Sequence, residues 1–205
     1  MALEQYPPAY VPPQQLEEAA QGFLREYNAT GTLPVPIEEI VEFDLKMNIV
    51  PLPNLYRDLG IEGFLSMSRG EISIDQTQFE SFETRYRFTL AHEVGHMLLH
   101  RDLYERIDIR SLEGWMEVLE MIEPGLISDY EWQARNLAGR ILVPEAPLTE
   151  MARQFLRKIP ADVLERVTQR EVLRSLSIPL ADEFLVSPSV VENRLIGDRV
   201  GKKVR

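Results

Sequence analysis

The chain has no cysteine and only three histidines among its 205 residues. The absence of cysteine excludes disulfides, thiolate metal sites and cysteine nucleophiles, and it fits a reducing compartment. No apolar run approaches the ~20 residues that a membrane-spanning helix needs. The opening residues, MALEQYPPAYVPPQQLEE, lack a basic flank followed by an apolar core, so no secretory signal is expected and a cytoplasmic location is. Positive charge is scarce along most of the length. Residues 1–150 carry 11 Lys and Arg against 26 Asp and Glu, a net of −15, whereas residues 151–205 carry 11 against 7, a net of +4. An acidic body repels phosphate backbones, which argues against non-specific nucleic-acid binding. It suits a solvated surface or a basic protein partner.

All three histidines fall in one stretch, FTLAHEVGHMLLH, from Phe88 to His100. His92, Glu93 and His96 spell HExxH. On a helix, residues i and i+4 share a face, so His92 and His96 can direct their rings at one metal ion. Glu93 sits about 100° further round, where it reaches a metal-bound water instead of the metal. That is the pattern of a zinc hydrolase, with two nitrogen ligands, a third ligand from elsewhere and an open fourth position for water. A half-buried helix with histidines as polar fillers is the plainer reading. The apolar neighbours Phe88, Leu90, Ala91, Val94, Met97, Leu98 and Leu99 argue against it. They imply a buried helix, on which two imidazoles and a carboxylate are costly unless something satisfies them.

With 44% hydrophobic and 27% charged residues, the composition is that of a globular protein long enough to bury a core. Four prolines in residues 1–14 mark an extended leader. Leu16, Ala19, Ala20, Phe23 and Leu24 recur at helical spacing, predicting a helix over Gln15–Tyr27. A turn region over Asn28–Pro36 and a second helix over Ile37–Met47 follow, the latter with Glu38 and Glu39 in its first turn. NIVPLP (48–53) reads as an edge strand. Residues 61–67 and 71–75, joined by SRG, read as a β-hairpin leading into the motif helix over Phe79–His100. This order predicts an α+β fold in which a small antiparallel sheet packs on the HExxH helix, a zincin-like core over residues 15–150. Residues 102–129 read as a long acidic connection with a helix around Leu112–Ile122 and a turn at Pro124–Gly125. Residues 151–205 read as a smaller helical region.

A site of this kind needs another protein ligand, and with no cysteine and no fourth histidine a carboxylate is the candidate. In EWQARNLAGRILVPE, Glu131, Ala134, Ala138 and Ile141 or Leu142 lie along one helical face. Small residues one turn after the glutamate allow close approach to the motif helix, so Glu131 is the expected third ligand. Asp129, Glu123, Glu120 and Glu117 are the alternatives. His100 lies about 12 Å along the axis from His92 and is too far to share its ion. The longer pattern HExxHxxGxxH fails, because Leu99 and Asp102 stand at its last two fixed positions.

The run from about Ile37 to Glu145 resembles the ImmA/IrrE family of HExxH metallopeptidases, through RYRFTLAHEVGHMLLH (Arg85–His100) and EWQARNLAGRILVP (Glu131–Pro144). The second stretch is similar to the family's E-x-x-A-N-x-F-A-x-x-L-L-M-P helix, with Arg135 inserted between Ala134 and Asn136, and Leu137 and Val143 replacing Phe and Met. The resemblance implies that His92, His96 and Glu131 bind one zinc ion per chain. It implies Glu93 as general base and a structural role for His100. It also implies a cytoplasmic, site-specific endopeptidase that cleaves a helix-turn-helix transcriptional repressor and so de-represses stress-response or mobile-element genes. A donor for the tetrahedral oxyanion is required as well. Tyr86, Tyr104 and Tyr130 are candidates among which the sequence does not choose.

The tail PLADEFLVSPSVVENRL (Pro179–Leu195) has the outline of a helix-turn-helix and resembles the segment common after this peptidase core. Leu185 stands where a glycine is usual, and the second helix carries Glu192 and few basic residues. Asn193, Arg194 and the basic end (Arg199, Lys202, Lys203, Arg205) are what it could offer DNA. Packing or substrate docking is the expected role. The competing function is a DNA-binding or protein-interaction regulator that uses these helices and keeps the metal site as structure or silent. An intact Glu93 favours the enzyme, since a purely structural site closes its fourth position and needs no base.

Overall fold

The computed structural model of the protein describes residues 10–106 and 124–204, together with residues 114, 116 and 117. Residues 1–9 of the leader, most of the helix expected around Leu112–Ile122, and Arg205 lie outside them. Helix α1 (Pro13–Tyr27) opens on a proline, whose fixed φ and missing N–H suit the first helical turn. It buries Leu16, Ala20 and Phe23 at i, i+4 and i+7. Helix α2 (Ile37–Glu39) runs on as one wider turn, Ile40–Asp44. It stops short of the expected Met47, where Lys46 takes a φ of 54°.

Strands β1 (Asn48–Leu52), β2 (Gly63–Ser66) and β3 (Glu71–Asp75) form one sheet in the order β1-β3-β2. The hairpin is antiparallel, Leu65 opposite Ile72, with Gly70 at φ 62° in the link. β1 instead pairs parallel to β3, Ile49 beside Ile72, so the sheet is mixed and not antiparallel as expected. The chain leaves β1 through α3 (Leu55–Leu59) and crosses β2 before it returns beside β1. That non-local pairing leaves no mark on a five-residue strand. β1 is an edge strand, which its internal Pro51 tolerates.

The motif helix divides. Helix α4 (Gln76–Ser81) is capped by Asp75, whose carboxylate accepts from the Gln78 amide. The chain breaks at Phe82 (φ −132°), and α5 (Glu83–Leu99) carries the HExxH residues, followed by α6 (Arg101–Arg106). Helix α7 (Pro124–Leu142) begins seven residues before Glu131. Pro124–Gly125 is therefore a helix start and not a turn, since proline is as good an opening residue as a turn residue. Helix α8 (Glu145–Leu156) contains residue 150, where the core was expected to end, and a single apolar cluster runs from Leu16 to Val204.

After α9 (Ala161–Leu164), the Thr168–Glu171 capping box opens α10 (Gln169–Phe184), which passes through Pro179 without ending. Leu185 follows at φ 51°, ψ 54°, a left-handed conformation that costs a non-glycine residue ~1–3 kcal/mol. The buried Arg87 of α5 holds this turn, donating to Leu185 O at 3.2 Å and to Val35 O at 2.7 Å. Helix α11 (Pro188–Glu192) then continues as a wide turn, Asn193–Gly197, and a short 3-10 turn spans Val200–Lys203. The molecule is an α+β protein, mostly helical with a small sheet.

Arg194, expected at a DNA-facing position, is 2% exposed. It donates to Val143 O at 3.0 Å, to Asp198 at 2.7 Å and to Glu17 at 3.0 Å. A guanidinium enclosed by α1, α7 and the C-terminal turn is not presented to a base edge or a phosphate. Asn193 beside it is exposed, and Lys203 pairs with Glu145 at 2.6 Å. Removing one partner of a buried ion pair costs about 3 kcal/mol or more. Arg194→Ala is therefore expected to lower the unfolding free energy by about 3 kcal/mol in urea titrations, because it strands partly buried carboxylates. A loss below about 1 kcal/mol would mean that the network contributes little to the fold.

Candidate metal centre

Three side chains on two helices converge. His92 and His96, one turn apart on α5, bring their Nε2 atoms within 3.1 Å. Glu131 of α7 reaches both, with Oε2 3.0 Å from His92 Nε2 and Oε1 3.2 Å from His96 Nε2. These are the residues that could hold a metal ion among those described. A tetrahedral zinc with bonds of ~2.0–2.1 Å keeps its donors ~3.3 Å apart, so two imidazoles and a carboxylate at these separations fit it. Asp129 and Glu117 are exposed and outside the cluster, and Glu120 and Glu123 lie outside the described residues.

The helices meet closely enough because of Gly95. A Cβ added there would lie 2.8 Å from Ala134 O and 3.1 Å from Ala134 Cα. The glycine of HEVGH thus lets the α7 backbone settle against α5, one turn from Glu131, and Ala134 completes the contact. The small residues on α7 were legible in advance. Their glycine partner lies outside the apolar pattern, and its one signal is a glycine inside an otherwise continuous helix.

His100 is buried and completes a chain of ring contacts. Its Nε2 lies 3.2 Å from Gln133 Oε1, and its Nδ1 lies 3.0 Å from His96 Nδ1. Burial and the neighbouring His96 push its pKa down to about 4, so the ring is neutral. Because Gln133 Oε1 only accepts, His100 carries its proton on Nε2 and leaves Nδ1 bare. That bare nitrogen can accept from His96 Nδ1, which turns His96 Nε2 toward Glu131 and any ion. An outer partner that fixes the tautomer of a metal-binding histidine is a general requirement of such sites. Gln133 carried no sequence signal of this role.

Glu93 is buried beside the cluster, and its carboxylate accepts a hydrogen bond from the Leu65 amide of β2. Burial pushes its pKa up, and the adjacent imidazoles only partly oppose that. Burial also pushes Glu131 up, but its hydrogen bonds to His92 and His96 and their charges outweigh it and hold this carboxyl well below the ordinary range. For His92, burial favours the neutral ring, yet Glu131 and Glu93 outweigh it and raise the pKa. The four groups line an open cleft of about 300 Å³ together with Gly63, Phe64, Phe88, Tyr104 and Arg135.

Of the three tyrosines, Tyr104 borders this cleft, its ring 5.7 Å from that of His96. Tyr86 is buried in the core with its ring edge-on to Phe79, and Tyr130 stands edge-on to His100.

A two-histidine, one-carboxylate cluster with a buried glutamate beside it, on an α+β scaffold, defines a metallopeptidase-like domain. The family model Peptidase_M78, the IrrE N-terminal-like domain, matches residues 80–196, and the chain belongs to that family. The match takes in α5, α7 and the C-terminal helices α10 and α11. No curated protein matches the chain.

Two outcomes follow from this geometry. Gly95→Ala is expected to push α7 away and lower zinc affinity more than tenfold, with a loss of stability of ~1–3 kcal/mol. Gln133→Leu is expected to weaken zinc binding ~10–100-fold while leaving the fold intact by circular dichroism. Unchanged affinity in either variant, measured by competition with a chromophoric chelator, would contradict the assigned packing or the assigned tautomer.

Proposed function

We propose that this protein is a zinc-dependent, site-specific endopeptidase whose substrate is a helix-turn-helix transcriptional repressor. The observation that carries the reading is the convergence of His92, His96 and Glu131 beside a buried Glu93 at the floor of an open cleft. Zinc, when bound, supplies Lewis acidity that acidifies water and polarises a peptide carbonyl. His92, His96 and Glu131 hold it in place. Glu93 accepts the proton from the attacking water and returns it to the leaving amine, and its raised pKa brings it nearer working pH. The Leu65 amide orients Glu93, and Tyr104 is the tyrosine best situated to donate to the developing oxyanion.

A polypeptide substrate is supported by the strand that borders the cleft. β2 is an edge strand, with Gly63 and Phe64 lining the cavity. A strand at the edge of the sheet beside an open site suits an extended peptide. Membership of the family supports the peptidase reading, and the family resemblance supports a repressor as substrate. Burial of Arg194 takes one of the two side chains of the second helix away from the competing DNA-binding reading.

The test compares zinc-loaded protein with Glu93→Gln in extracts of the cells that make it, mapping newly formed protein N-termini. The expected result is a small set of cleavages, one of them in a helix-turn-helix protein, absent with Glu93→Gln although that variant still binds zinc. Cleavage retained at more than about a hundredth of the rate in Glu93→Gln would contradict the assigned base.

A further inference from the structure

The cleft at the metal centre does not end at the zinc ligands. Glu62, Phe88 and Arg135 line it and also line a second, larger groove of about 950 Å³. That groove follows the crevice between α5 and α7 toward α11, with Phe82 and Trp132 on its walls. Phe82 is 53% and Trp132 45% exposed, unusual for large aromatics that flank one depression. Arg135, one turn beyond Glu131, stands exposed at the junction with no ion-pair partner among the described residues. Arg85, by contrast, is paired with Glu62.

We infer that this groove is a distal subsite for an extended stretch of the polypeptide substrate, and that it sets the choice of cleavage site. The inference rests on the peptidase reading above. The occupant is the substrate itself because the groove opens directly from the cleft in which the scissile bond would lie. Phe82 precedes His92 by ten residues, about 15 Å along a helix axis. An extended peptide covers that distance in about four or five residues at ~3.3 Å each. The aromatic walls therefore receive an apolar side chain about four or five residues from the cleaved bond. Arg135, nearer the metal ligands, receives an acidic side chain between the two. A short peptide that fills only the smaller cleft reaches Arg135 but not the aromatic walls.

The experiment selects phage-displayed random dodecapeptides on full-length Glu93→Gln protein in the presence of zinc. Affinities of the enriched peptides are then measured by fluorescence polarisation. The selected peptides are expected to share an aromatic or large aliphatic residue and an acidic residue at fixed spacing. Phe82→Ala/Trp132→Ala should weaken them at least ~tenfold and Arg135→Glu severalfold, while Ile178→Ala, at an exposed apolar position outside both cavities, changes nothing. Failure to enrich any peptide, or equal binding to the double variant, overturns the subsite. The parent protein should cut the selected peptides about four or five residues from the apolar anchor. Groove-dependent binding without cleavage would overturn the peptidase reading and leave a peptide-binding groove. Glu93-dependent cleavage of unfolded protein, unaltered in the double variant, would overturn the subsite and leave that reading standing.

Discussion

The arrangement depends on how closely two helices can lie. α5 presents two imidazoles on one face, which is a property of a single helix and needs no tertiary structure. The third donor comes from α7, and a glutamate side chain is short. It reaches 3.0 and 3.2 Å from the two imidazole nitrogens only because Gly95 and Ala134 keep no bulk between the backbones. The rest of the molecule can be read as holding that contact. α1 packs against α7, Arg140 and Arg194 are paired with Glu17 and Asp198, and Arg87 ties α5 to the turn at Leu185. The C-terminal helices are in this sense part of the frame around the site, and they share its apolar core.

The same contact creates an electrostatic problem. Two carboxylates and three imidazoles are crowded together, and desolvation opposes charge on His92, Glu93, His100 and Glu131. The groups respond differently according to their neighbours. Glu131, between two ring nitrogens, is held ionised. Glu93, with one amide donor and more burial, is pushed toward its protonated form. His100, with only an amide oxygen and another imidazole beside it, is neutral. One carboxylate suited to binding and one suited to proton transfer thus arise from environment alone, the separation that acid–base chemistry at a metal requires.

Much of this was legible in the sequence because it is local. The i, i+4 spacing of His92 and His96, the alanine stripe after Glu131 and the hairpin around Gly70 are periodicities of one or two elements. What was misread is non-local or ambiguous at short range. The parallel pairing of β1 with β3 depends on a crossover that a five-residue strand does not record. Pro124 serves equally to open a helix or to make a turn, and here it opens α7. Arg194 looked like a basic residue on a recognition helix. Its partners, Glu17 and Val143, are far away in the chain, and so its burial was invisible.

The metal centre stands on Glu131 completing a site with His92 and His96. The direct measurement is a zinc titration of the purified, metal-stripped chain beside Glu131→Ala and His96→Ala, with circular dichroism to establish that each is folded. One zinc per parent chain, with binding at least ~tenfold weaker in both variants, is the predicted result. Parent-like affinity in Glu131→Ala alone would place the third ligand elsewhere and undo the role given to the α5–α7 contact. No zinc bound by the parent would contradict the metal centre itself.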